Sequence, residues 1–131
     1  MHIQKDFNNW NIKKTNLDTI EVRPFFHVGE VWYCYLGVNV GYEQDGKGDD
    51  FLRPVVILKK FGDTFWGIPL TRTIRPEKPY LYQFSFTEGI VSTAVLSQIR
   101  LIDARRLAYQ TGEMKESEFD ELRKKLKALL P

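Results

Sequence analysis

From Phe26 onward, apolar and polar positions alternate with a period of two. "GEVWYCYLGV" (29–38) is rich in aromatic and β-branched residues and reads as a strand. "RPVVILKKF" (53–61) reads as the next, opened by Pro54, where a missing N–H does least harm. Gly62-Asp63 makes a tight turn, and "TFWGIPL" (64–70) returns antiparallel. "YLYQFSF" (80–86) puts Tyr80, Tyr82, Phe84 and Phe86 on one face and Leu81, Gln83 and Ser85 on the other; the aromatic face is assigned to the core. Glu88-Gly89 turns the chain into "IVSTAVL" (90–96). Five strands joined mostly by short turns predict a small, closed or nearly closed barrel.

Helices flank this body. Residues 5–20 place Phe7, Trp10, Leu17 and Ile20 near helical spacing, with Asp6 as the cap. "EVRPFF" then reads as an extended linker, because Pro24 ends any helix. At the far end, "KESEFDELRKKLKALL" carries an apolar stripe of Phe119, Leu122, Leu126 and Leu129, with Ser117 as the expected cap and Asp120 as its capping-box partner. Its acidic first half and basic second half suit the helix dipole. The chain is therefore divided into a helical extension and linker (1–25) and a main body (26–131), of class α+β, mainly β.

Composition narrows the picture. With 131 residues, 43% hydrophobic and 27% charged, the chain is the size of one ordinary globular domain. No stretch approaches the roughly 18 apolar residues of a membrane span, and "MHIQKDFNNW" lacks a signal peptide's apolar run. Cys34, the single cysteine, excludes an internal disulfide and fits a reducing cytoplasm; its place in a strand pattern assigns it to packing. A net charge of +2 is too slight to announce a nucleic-acid binder, although basic residues cluster at Arg72, Arg75 and Lys78 and again at Arg100, Arg105 and Arg106.

Candidate chemistry is sparse. A Gly-rich phosphate loop opening a helix, a Walker lysine and zinc-type Cys/His spacing are all missing, so no metal or organic cofactor is indicated. Of the two histidines, His2 lies at the terminus and His27 just before the first strand, where a surface or packing role fits. Catalysis would fall to carboxylates, hydroxyls and guanidinium groups. Glu43 follows the first strand, Arg53 opens the second and Thr71 ends the third, so antiparallel pairing brings all three to one rim. A carboxylate base, a fixed cation and a hydroxyl suit attack at a phosphodiester. A plain surface salt bridge between Glu43 and Arg53 fits the same residues.

"GEVWYCYLG", "VGYEQ", "RPVVIL", "IPLT" and "VLSQIRLIDARRL", in that order and at that approximate spacing, resemble the MazF/PemK family of bacterial toxins over residues 28–107, and the terminal helix extends the likeness. The resemblance implies a small SH3-like barrel of the MazF/PemK/CcdB type, a homodimer, and a ribosome-independent endoribonuclease acting on single-stranded RNA. It also implies inhibition by a cognate antitoxin protein. By the same resemblance Arg53 matches a catalytic arginine, Thr71 a catalytic threonine and Glu43 a supporting glutamate. Arg53 would stabilise the phosphorane, Thr71 would orient the scissile phosphate, and Glu43 would take the 2′-proton or fix Arg53. Gln44, Lys47, Arg72, Arg75, Lys78, Gln98 and Arg100 are the expected RNA contacts. The chain departs from the family in its long 44–53 passage, with Asp49 and Asp50 near the approach of an anion, and in its added N-terminal helix. Two other functions stay open: a non-catalytic binding module, and a gyrase inhibitor, against which "WGI" stands at 66–68 rather than at the C-terminus.

Overall fold

The computed structural model describes residues 5–20, 22–37, 51–73 and 76–131. Helix α1 (Phe7–Asp18) comes first, then strands β1 (Glu30–Tyr35), β2 (Leu52–Phe61), β3 (Thr64–Thr71), β4 (Leu81–Thr87) and β5 (Ile90–Val95). Two further strands, β6 (Arg100–Asp103) and β7 (Leu107–Glu113), precede helix α2 (Glu116–Lys127). The expected five strands are thus seven. "IRLID" and "LAYQTGE" are short or polar-edged segments set off by single 3₁₀ turns, so neither presents a long alternating run.

The strands form one antiparallel sheet in the order β4-β5-β3-β2-β1-β7, with β6 also on β3. Strand β3 holds two neighbours on one edge: Thr64–Gly67 pair with β6, and Leu70-Thr71 pair with β5. Ile68 and Pro69 fall in the gap between them, where a proline's missing N–H does little damage. The end strands approach through side chains: a Cβ on Gly112 of β7 would lie 2.6 Å from the Phe86 ring of β4. Glycine at 112 lets that ring lie against the β7 backbone.

Turn chemistry fits the hairpins. Gly62 and Gly89 sit at the β2–β3 and β4–β5 turns with φ of 61° and 80°, a region that favours glycine. Strands β2 and β3 are covered on both faces, which is why Val55, Val56 and Ile57 are all buried and strict alternation fails there. One core cluster gathers Phe26, Trp32, Cys34, Val55, Ile57, Phe65 and Ile102. A second gathers Val31, Val56, Ile68, Phe84, Leu96 and Leu122.

Four local expectations need correction. The cap residue of α2 is Lys115, which makes no side-chain capping bond, and Ser117 lies inside the helix. Of the α2 stripe, Leu122 is fully buried, Phe119 and Leu126 partly, and Leu129 is exposed. In β4 the aromatic face fades at its start: Phe84 is buried, Tyr82 and Phe86 half-buried, Tyr80 exposed, and Leu81 on the opposite face is buried instead. Pro54 is the third residue of β2 rather than its opening one, since Leu52 and Arg53 already pair with β1. Asp6 does cap α1, accepting from the Asn9 N–H at 3.2 Å.

Candidate active site

Arg53 and Thr71 lie on adjacent strands. Val56 pairs with Ile68 and Val55 with Pro69; continuing that register places Pro54 across from Leu70 and Arg53 across from Thr71. Strands β2 and β3 run antiparallel, so the start of β2 and the end of β3, and with them Arg53 and Thr71, share one end of the barrel. Pro54 has no N–H to offer its neighbour. The Leu70 carbonyl accepts one from Arg53 Nη1 at 3.0 Å, one residue from Thr71.

Both side chains are buried, at 6% and 5% exposure. Burying a guanidinium costs free energy unless its donors are used, so such a group is held for its charge or its hydrogen bonds. The Thr71 hydroxyl oxygen accepts the Thr73 N–H at 3.2 Å, which fixes the hydroxyl where β3 gives way to the next segment. Arg72 and Lys78 follow on exposed chain. Gln98 and Arg100 are half-buried, at the end of a 3₁₀ turn and the start of β6. Glu43, Gln44, Lys47 and Arg75 lie outside the described residues, as do Asp49 and Asp50.

More positive charge gathers around this end than the motifs suggested. Across β1 from Arg53 lies Cys34, and across from Cys34 lies Leu107, next to Arg106. Arg106 donates Nη1 to the Tyr35 carbonyl at 3.2 Å, with its guanidinium 5.6 Å from the centre of the Trp10 ring. Its pKa is lowered by burial and by the neighbouring charge of Arg100. Burial pushes the Cys34 thiol up, against a weaker opposite pull from Arg106 and Arg100. The thiol is therefore neutral packing rather than a nucleophile. In the sequence Arg106 is one of a basic run, and a one-dimensional cluster does not say which side chain turns inward.

Other titratable groups fall elsewhere. Asp103 receives Arg23 Nε at 3.0 Å and Arg105 Nη2 at 3.0 Å, and these bonds hold its carboxyl well below the usual range. His27 pairs loosely with Glu30 at 3.4 Å, at the opposite end of β1 from Cys34. Among the described residues, no three His, Cys, Asp or Glu side chains lie together as a metal site. Nor is any described helix long and apolar enough to cross a membrane.

The sequence matches the family profile described as PemK-like, MazF-like toxin of type II toxin–antitoxin system, over residues 27–130. The chain belongs to that toxin family. None of the curated proteins compared is similar enough in sequence to match. Among solved structures, MazF from Deinococcus radiodurans aligns with a TM-score of 0.66 at 22% identity, covering 83% of this chain and 97% of its own. An endoribonuclease from a mycobacterial species, solved with its cognate antitoxin, gives 0.61 at 17% identity, covering 82% and 98%. The Mycobacterium tuberculosis toxin MazF-mt6 gives 0.58 at 17%, covering 76% and 93%. At such identities the likeness is one of fold. The family match begins at residue 27, so α1 lies outside it. "WGI" sits within β3 with Gly67 and Ile68 buried, unlike an exposed C-terminal run.

Proposed function

We propose that this MazF/PemK-family toxin is a metal-independent endoribonuclease that cuts single-stranded RNA through attack by the 2′-hydroxyl on the adjacent phosphorus. The observation that supports it most is that Arg53 and Thr71 are both buried, at the start of β2 and the end of β3, with Arg53 Nη1 bonded to the carbonyl of Leu70, the residue before Thr71. The O2′–P bond forms as the P–O5′ bond breaks, giving a 2′,3′-cyclic phosphate and a 5′-hydroxyl. Arg53 meets the charge that builds on the phosphoryl oxygens, with a cation already fixed by Leu70 and needing little reorganisation. Thr71, whose oxygen is engaged by Thr73, keeps its O–H to donate to a phosphate oxygen. Glu43 is assigned to take the 2′-proton or to orient Arg53. Requiring a 2′-hydroxyl as nucleophile selects RNA over DNA.

Arg72, Arg75, Lys78, Gln98, Arg100, Gln44 and Lys47 are assigned to RNA binding. The toxin acts in the cytoplasm as a homodimer, restrained by a cognate antitoxin. The test is incubation of purified protein with long single-stranded RNA in EDTA. Discrete cuts that vanish in Arg53→Ala and Thr71→Ala support the reading. Intact RNA under those conditions overturns it, and tight binding to the intact RNA would identify a binding module instead.

A further inference from the structure

The N-terminal helix lies outside the family match, yet it sits against the strand ends that lead to Arg53. Four observations converge there. Trp10 is 4% exposed and packs on Phe51, ring centres 5.4 Å apart. A Cβ built on Gly37 would run into the Trp10 indole, so glycine at 37, with φ of 73°, makes room for that ring. The Phe51 carbonyl accepts from both Leu36 N (3.1 Å) and Gly37 N (3.2 Å), tying the end of β1 to the start of β2. Arg106 bridges the Trp10 ring and the Tyr35 carbonyl.

Trp10 therefore touches both sides of the junction, Gly37 after β1 and Phe51 before β2. Tyr35 pairs with Leu52 and Cys34 with Arg53, so the junction lies two residues from the guanidinium. Phe51 is held at φ 57°, an unfavourable region for a bulky side chain that persists only where its surroundings fix it. Around it stand Trp10, Leu17 and the half-buried Tyr35, whose ring lies under Lys13 Nζ at 4.3 Å. The far end of α1 is tied separately, by Arg105 Nη1 donating to the Asp18 carbonyl at 3.0 Å.

We infer that α1, through Trp10, is a positioning element for Arg53: it clamps the β1–β2 junction and so fixes the guanidinium where the phosphate must be met. This rests on the nuclease reading above. Trp10 touches neither substrate nor reacting atoms; it acts through Phe51, Leu52 and the backbone that carries Arg53.

The experiment pairs hydrogen exchange with RNA-cleavage kinetics on the full chain and on Trp10→Ala, Trp10→Phe and the exposed-surface control Ile12→Ala. In Trp10→Ala the Leu36 and Gly37 amides should exchange at least tenfold faster, while β3–β5 amides keep their protection. kcat should fall about tenfold with KM within twofold, as for a displaced catalytic group. Trp10→Phe, which keeps a ring on Phe51, should recover most of that loss, and Ile12→Ala should match the parent. Unchanged exchange at Leu36 and Gly37 overturns the clamp. So does faster exchange with unchanged kcat, which would make α1 a stabilising graft only. If Trp10→Ala does not fold, Trp10→Leu, which removes the ring from Phe51 but keeps apolar bulk, decides on the same two readouts. A parent that cuts no RNA refutes the nuclease reading instead, and the exchange comparison still tests the clamp.

Discussion

The two helices meet the barrel in opposite ways. Helix α2 has the strong apolar stripe, yet only Leu122 is buried completely; Phe119 and Leu126 border a groove of about 830 Å³ shared with Val28, Trp66 and Leu101. Helix α1 has almost no stripe, and Phe7 and Ile12 stand in solvent. It is nonetheless fixed by Trp10, Leu17 and two arginines that reach it from the turn before β7. Amphipathic patterning reports how much apolar surface a helix offers, whereas α1 is held by one large ring in a matching recess. Helix α2 contributes to the core, and α1 contributes to the geometry of the Arg53 rim.

If the rim carries function and the α2 side carries stability, substitutions should separate the two. The largest effect is expected from Arg53→Ala, which should lower kcat/KM for RNA cleavage by about 10²–10³-fold, the scale of losing a charge stabiliser. Thr71→Val, which keeps the shape and removes the hydroxyl, should cost about 10²-fold in the same assay. Leu122→Ala should do the reverse: a loss of about 3 kcal/mol in denaturant unfolding, with cleavage per folded molecule unchanged. Equal damage to activity and stability from both classes would show that the rim and the α2 side do not divide function from stability.

Smaller effects concern what ties the linker and α1 to the barrel. Asp103→Asn removes the carboxylate shared by Arg23 and Arg105 and should cost about 1–2 kcal/mol at neutral pH, reduced by partial solvent screening. The folded-state pKa of Asp103 is depressed, so its contribution is full above the unfolded value near about 4 and is lost progressively as pH falls from there through the depressed folded-state value. The gap between parent and variant should therefore narrow steadily below about pH 4, and a gap that stays constant from neutral pH into acid would contradict the assignment. Cys34→Ala should show the least, about 1 kcal/mol with unchanged cleavage, as befits a buried neutral thiol.

Much of the barrel could be read from residue pattern because its strands announce themselves locally. "EVWYCY" and the Gly62 and Gly89 turns carry their own β and turn chemistry. Strands β6 and β7 do not, since each is defined by the neighbour it pairs with rather than by alternation. The cap of α2 was misplaced because a serine two residues inside a helix looks like one at its start. At the site, adjacent strands made the nearness of Arg53 and Thr71 predictable. The inward turn of Arg106 and the seating of Trp10 over Gly37 were not, because both depend on contacts between segments far apart in sequence.

In the proposed mechanism Arg53 and Thr71 assist attack by the RNA's own 2′-hydroxyl. Once a cut has been mapped, the decisive measurement uses a synthetic RNA of that sequence bearing a single 2′-deoxy nucleotide on the 5′ side of the scissile bond. The unmodified strand should be cut to a 2′,3′-cyclic phosphate and a 5′-hydroxyl, and the 2′-deoxy strand should stay whole. Cleavage of the 2′-deoxy strand at the same bond would contradict that mechanism.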